Sequence, residues 1–232
     1  MNADRFDVQR FIHKQVPFRY HHQDMHFHLS QELFSSFDID TGSRHLLRAV
    51  EALPNLSSVK TVLDIGCGTG VLSVSLAKAL PQARIYALDR DVLACAFTRL
   101  NAEENSTSLT VSPGLDAYAS QAQFPEVYDL IVSNIPAKAG RNVIHRMINN
   151  ALAQLSKEGV AAVVIISALK QLLEQAARSC QCEIVLLESH PRHVVAVMKP
   201  AAQHKGDNSF PGAYLREEHH FTHKPSGGSY FL

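Results

Sequence analysis

Two short loops in this sequence hold residue types in an order that could do chemistry. The first reads Asp64-Ile65-Gly66-Cys67-Gly68-Thr69-Gly70. An apolar run, TVLDI, leads into it, and the helix-like stretch VLSVSLAKAL leads out. Glycine at every second position lets a backbone approach a ligand with no side chain in the way. The loop opens on a carboxylate, which would repel a pyrophosphate and suits a cation. A second carboxylate, Asp89, ends the next apolar run, ARIYALD, 19 positions after Gly70. At a strand end it can accept two hydrogen bonds from a ribose diol. The second loop is Ser133-Asn134-Ile135-Pro136-Ala137-Lys138, after the apolar run YDLIVS. The side-chain amide of Asn134 can both donate and accept hydrogen bonds there.

Dinucleotide sites share the glycines and the ribose carboxylate. The opening Asp64 separates the two cases. S-adenosylmethionine (SAM) carries an ammonium and a sulfonium, so this loop fits SAM better than NAD. Gly66, Cys67, Gly68 and Gly70 then become candidate cofactor contacts, with Cys67 serving as a small residue inside the turn.

The elements that must position these loops follow from the pattern. Short apolar runs (TVLDIG, ARIYALD, SLTVSP, YDLIVSN and GVAAVVII) alternate with helical stretches. That order predicts an α/β fold, a Rossmann-like doubly wound sheet, mostly parallel, with helices on both faces. CEIVLLESH and HVVAVMKP, joined by Pro191-Arg192, predict an antiparallel C-terminal edge hairpin. In such a sheet the ligand crevice lies beyond the carboxyl ends of the strands, where both loops fall. Upstream, Gly42 to Leu53 reads as a helix, capped by Thr41 or Ser43. Residues 1–25 show no clean period. The expected organisation is 1–55 as an N-terminal helical segment over the cofactor site, 56–200 as the SAM-binding domain, and 201–232 as a C-terminal extension.

The glycine loop with Asp89 resembles the class I SAM-dependent methyltransferases. In them an acid-led glycine loop follows the first strand and a second acid follows strand two. On that resemblance Asp116, in SPGLDAY, falls where the family contacts the adenine amine. The Asn134 loop resembles the N-P-P-[YF] motif of enzymes that methylate exocyclic amino groups. The resemblance implies that the Asn134 carbonyl and a neighbouring backbone carbonyl accept hydrogen bonds from the target NH2 and aim its lone pair, which gives Asn134 and Pro136 the catalytic positions. Ile135 replaces the first proline and Ala137 replaces the aromatic that stacks on the target. Stacking would then come from elsewhere, such as Phe210, Tyr214 or Tyr230.

The stretch LFSSFDIDTGSRHLL, residues 33–47, resembles a segment of the small-domain methyltransferases. The small-subunit rRNA guanine-N2 methyltransferases are familiar members. There this segment packs over the cofactor, which makes Phe34 and Ser35 candidate SAM contacts. A structural alternative makes Phe34 and Phe37 core aromatics and Asp40 or Thr41 a helix cap. Those rRNA enzymes usually carry a duplicated N-terminal domain, for which this chain has no room.

Composition bounds the partners. Lys+Arg and Asp+Glu are both 22, so the chain is neither a basic nucleic-acid coat nor a polybasic membrane binder. Residues 134–157 are locally basic, with Lys138, Arg141, Arg146 and Lys157 and no acid, which suits RNA. The longest apolar run, Val160 to Ile166, is far short of a membrane span. The start of the chain has no signal-like apolar region, and four scattered cysteines argue for reduced thiols, so a cytoplasmic location is expected. His22 and His26 are spaced to share a metal on a helix, but no ligand set is completed and no metal is expected. The expected activity is SAM-dependent N-methylation of an exocyclic amine, of RNA or of a small molecule or protein. The rival is a SAM-binding protein that has lost turnover.

Overall fold

The computed structural model describes residues 7–115, 118–119 and 124–201. The described residues fall within one compact unit. Asp116, Phe210, Tyr214 and Tyr230 lie outside the described residues.

The chain opens with a hairpin, β1 (Lys14–Tyr20) and β2 (Gln23–Leu29), paired antiparallel. Its inward residues alternate: Val16, Phe18 and Tyr20 on one strand, Met25, Phe27 and Leu29 on the other, all buried. This hairpin corrects the reading of residues 1–25 as lacking a clean period, while the expected helix follows it over Thr41–Glu51. The period-two signal was present, broken only by the turn at His21-His22.

After the hairpin come α1 (Thr41–Glu51), β3 (Thr61–Ile65), α2 (Val71–Ala79), β4 (Arg84–Asp89), α3 (Val92–Glu104), β5 (Thr110–Leu115) and β6 (Tyr118–Ala119). The chain then continues through β7 (Tyr128–Asn134), α4 (Arg141–Ala153), β8 (Leu155–Ile166), α5 (Lys170–Ser179), β9 (Cys182–Ser189) and β10 (His193–Pro200). The large sheet has the order β6-β5-β4-β3-β7-β8-β10-β9. Strands β5, β4, β3, β7 and β8 run parallel. β10 is antiparallel to both β8 and β9, as the sequence pattern predicts for the edge hairpin.

Alternate residues of the strands feed two cores. Val62, Leu130, Val132, Val164 and Val195 pack with α1, α2 and the hairpin. Leu63, Ile65, Ile131, Val163 and Val194 pack with α4 and α5. The covered strands therefore carry no polar face, which is why they read as continuous apolar runs. The chain builds outward from β3 through β4 to β5, then resumes on the other side of β3 with β7 and β8. The reversal falls between β3 and β7, and a crevice opens at such a switch point.

The hairpin is held on by side chains imitating a strand. Asn101 on α3 accepts from the His28 backbone N–H (2.7 Å) and donates to its carbonyl (3.0 Å). One turn on, Asn105 accepts from the His26 N–H (2.9 Å) and donates to its carbonyl (2.7 Å). These amides satisfy the open edge of β2, which otherwise would expose unpaired backbone groups.

Candidate active site

The loop between β3 and α2 is shaped by its glycines. Gly66, Gly68 and Gly70 have φ of +74°, +56° and +82°, in the left-handed region. A Cβ on Gly70 would stand 3.0 Å from Thr98 Cα, so this glycine is needed for space as well as conformation. At Gly66 and Gly68 a Cβ would meet nothing within 4 Å. The turn is thus open on its outer side rather than filled by side chains. Its backbone is tied inward: the Gly66 and Cys67 N–H groups both donate to the Leu88 carbonyl, at 2.8 and 3.0 Å. Thr98 Oγ1 donates to the Gly68 carbonyl (3.0 Å) and lies 3.2 Å from the buried Cys67 Sγ.

Asp64 is fully buried on β3. Its Oδ2 accepts from the Ser73 N–H in the first turn of α2, at 3.0 Å. Its Oδ1 is buried with no hydrogen-bond partner among the described residues. Burial pushes its carboxyl from 3.8 up to about 7, against the Ser73 hydrogen bonds and with help from the Asp89 charge. Leaving such an oxygen unpaired costs roughly 1–3 kcal/mol. It is a place waiting for a donor, and an ammonium is the donor that would also restore its charge. Asp89 is half-buried at the end of β4. It accepts from the Gly68 N–H (3.0 Å) and the Asp91 N–H (2.9 Å), one on each oxygen. A carboxylate oxygen has two acceptor sites, so capacity for ribose hydroxyls remains.

Beside this loop, β7 brings Asn134 to the same end of the sheet. The Ser133 hydroxyl donates to the Ile65 carbonyl (2.7 Å) and so ties the two strand ends together. Asn134 Nδ2 donates to Asp40 Oδ2 at 2.6 Å and to Ser43 Oγ at 3.0 Å. Reversing the amide would set its oxygen against the carboxylate, so the orientation is determined by charge. Both amide hydrogens are spent on α1, and no described donor takes Asn134 Oδ1. The same Asp40 Oδ2 accepts from the Ser43 N–H (3.0 Å) and caps α1. One carboxylate thus starts a helix and sets the amide.

The departures from the amine-methylating motif have structural reasons. Ile135 is buried with Ile144 and Ile148, and its N–H donates to the Val164 carbonyl at 2.9 Å. Proline could supply neither the donor nor that packing. Pro136 and Ala137 are exposed, and alanine at 137 supplies no ring. In the strap before α1, Phe34 is 73% and Phe37 67% exposed, so neither is a core aromatic. Ser35, at φ +65°, donates to the Asp38 carbonyl (2.6 Å) and bends the strap. Arg44 holds the strap from below, through the Ile39 carbonyl (3.2 Å) and Asp38 Oδ1 (3.2 Å). The basic stretch divides: Lys138 and Arg141 stand beyond β7, whereas Lys157 lies near the start of β8, at the opposite end of the sheet. A cleft of about 440 Å³, between the end of α2 and the starts of β4 and β5, also lies at that opposite end.

Sequence reasoning missed Asp40 and Ser43 as partners of Asn134. The DIDTGS string signalled a cap, but nothing in it pointed to a residue 94 positions away.

The profile of the methyltransferase small domain matches residues 24–186. The chain belongs to the methyltransferase small-domain family. A Vibrio parahaemolyticus protein named ribosomal RNA small subunit methyltransferase C is 36% identical over 155 residues, covering 64% of this chain and 43% of its own length. The Bacillus subtilis uncharacterized protein YbxB is 28% identical over 148 residues, covering 64% of this chain and 72% of its own. The fold matches the T. thermophilus 16S rRNA N2 G1207 methyltransferase (RsmC), solved in complex with AdoMet and guanosine. The TM-score is 0.64 at 22% identity, over 81% of this chain and 50% of that one. This small-domain chain spans less than half the length of the Vibrio rRNA methyltransferase it matches.

Proposed function

We propose that this chain methylates an exocyclic amino group of RNA, guanine N2 in the small ribosomal subunit, with SAM as methyl donor. The observation that carries the reading is Asn134, whose amide hydrogens are held by Asp40 and Ser43 while its carbonyl oxygen is left as an acceptor. The relatives and the fold neighbour support the choice of RNA, since those proteins are named for rRNA methylation.

The residues present fit SAM. Asp64 Oδ1 lacks a donor, Gly66 and Gly68 leave open space, and Asp89 keeps acceptor capacity. Phe34 and Ser35 of the strap, with Cys67 and Gly70, complete the proposed binding set. When bound, SAM supplies a methyl group activated by its sulfonium. The chain's own part is positioning. Asn134 Oδ1 accepts one N–H of the target amine, and the backbone carbonyls at Ile135 and Pro136 offer a second acceptor. Drawing both N–H bonds one way turns the lone pair the other way. No general base is required, because the proton becomes acidic once the nitrogen carries a fourth bond.

The absent ring at Ala137 favours one rival, an amine on a small molecule or protein. Transfer of labelled methyl from SAM into fractionated cell extract separates them: label in small-subunit rRNA supports the reading, and label only in protein or small molecules overturns it. Asn134→Ala should keep SAM affinity within about twofold and cut transfer by about 100-fold or more, the scale expected when a reacting group is mispositioned. Unchanged turnover would remove Asn134 from the acceptor site.

A further inference from the structure

The turn between β9 and β10 brings a second set of side chains to the end of the sheet that holds Asn134. β10 runs antiparallel to β8, and His193 pairs with Ile166, the last residue of β8. Ser167, just beyond, donates through its N–H to the Arg192 carbonyl (3.1 Å) and through its hydroxyl to the His190 carbonyl (3.2 Å). The turn is therefore anchored. From the other side, His45 of α1 lays its ring flat on His190, with centroids 3.6 Å apart and planes at 14°. The cluster adjoins the acceptor loop: a Cβ on Gly42 would stand 2.8 Å from Asp40 Oδ2 and 3.4 Å from His193 Cδ2. Asp40 is the carboxylate that holds Asn134.

The charges here are unbalanced. Arg48, three positions after His45 on α1, and Arg192 in the turn are both exposed, and neither has an ion pair or hydrogen-bonded side-chain partner among the described residues. A carboxylate beside the stack, Glu188, lies 3.6 Å from His190 Nε2. Glu188 is itself partly exposed, and His190 Nε2 is buried with no hydrogen-bond partner. Asp40 is already committed to Ser43 and Asn134. Desolvation, then the electrostatic influence of His190, Arg48 and His193, holds His45 below its ordinary value, opposed by Glu188. Arg48 and Arg192 add two fixed positive charges here, against the carboxylate of Glu188, which already faces His190.

We propose that Arg48 and Arg192, beside the His45–His190 stack, bind a backbone phosphate of RNA near the nucleotide presented to Asn134. This rests on the reading of RNA as substrate. The two arginines supply fixed charge and forked donors suited to phosphate. The sheet fixes the spacing of the phosphate from the amine, so this subsite would help select which nucleotide enters.

The test uses the full chain and a fluorescein-labelled, mixed-sequence single-stranded RNA of about 20 nucleotides, with anisotropy titrations across salt. Losing the one bound phosphate should flatten the plot of log affinity against log salt by about 0.7, or about fivefold weaker binding near 0.1 M. Arg48→Ala/Arg192→Ala should show this while SAM affinity stays unchanged. Each single variant should lose about half of the slope change, which guards against a misfolded double variant. Arg84→Ala, at the start of β4 on the opposite end, should leave the slope alone. If the wild type binds and methylates RNA while the double variant keeps the full slope, the subsite is refuted and the RNA reading stands. If the wild type neither binds nor methylates RNA, both fall.

Discussion

If the buried carboxylate of Asp64 takes the SAM ammonium, cofactor binding is a proton-linked event. Its carboxyl is pushed up to about 7 because burial disfavours the charge. An ammonium donor on the orphaned Oδ1 would need the ionised form. The ionised fraction is about one tenth at pH 6 and about one half at pH 7. SAM should bind about fivefold more weakly at pH 6 than at pH 7, where its ammonium keeps most of its proton, and a fraction of a proton should leave on binding at pH 7. Isothermal titration in two buffers of different ionisation enthalpy reads both quantities. The folding linkage has a definite sign. The carboxyl is raised above its unfolded value of 3.8, so stability is highest with the proton on and is lost as pH climbs from about 4 to about 7. About three pH units at 1.36 kcal/mol each set an upper cost of about 4 kcal/mol at pH 8. Asp64→Asn removes that cost. Without cofactor the variant should melt higher than wild type at pH 8, match it more closely near pH 4, and lose affinity for SAM. A wild-type affinity flat between pH 6 and pH 7 with no proton released would refute the assignment of Asp64 to the ammonium.

Two further substitutions test the scaffold of the site. Asp40→Ala removes the cap of α1, worth about 1 kcal/mol, and frees the Asn134 amide to rotate. Chemical denaturation should show the modest loss, and turnover should fall far more than SAM affinity. Equal losses in both would mean that Asp40 acts only through the fold. Asn101→Ala strips the β2 backbone of two hydrogen bonds and the Thr69 carbonyl of a third, at 2.7 Å, leaving buried groups unpaired. Unfolding should become easier by about 2–4 kcal/mol, with weaker SAM binding because Thr69 belongs to the glycine loop. A thermal midpoint unchanged from wild type would show that the hairpin does not depend on this staple.

Much of the fold was legible because its signals are local. Strands covered on both faces must be apolar throughout, and GVAAVVII could be little else. Positive φ at Gly66, Gly68 and Gly70 needs glycine, so the loop announced itself. The N-terminal hairpin was harder to see. Pro17 and four histidines (His21, His22, His26 and His28) lie among its alternating apolar residues, and no partner for its open edge is visible in the sequence. That partner is a pair of amides on α3, 73 to 79 positions away.

From its letters alone this chain determined a layered α/β sheet, an acid-led glycine turn and an asparagine at the end of a buried strand. Each depends on a residue's own conformational limits or on the period of its neighbours. Tertiary structure decided which way the Asn134 amide faces, that Asp64 keeps an unpaired oxygen, and that His45 meets His190. Those outcomes depend on strand order. Only when β7 lies beside β3 and α1 crosses β8 and β10 do groups far apart in the chain come within hydrogen-bonding distance.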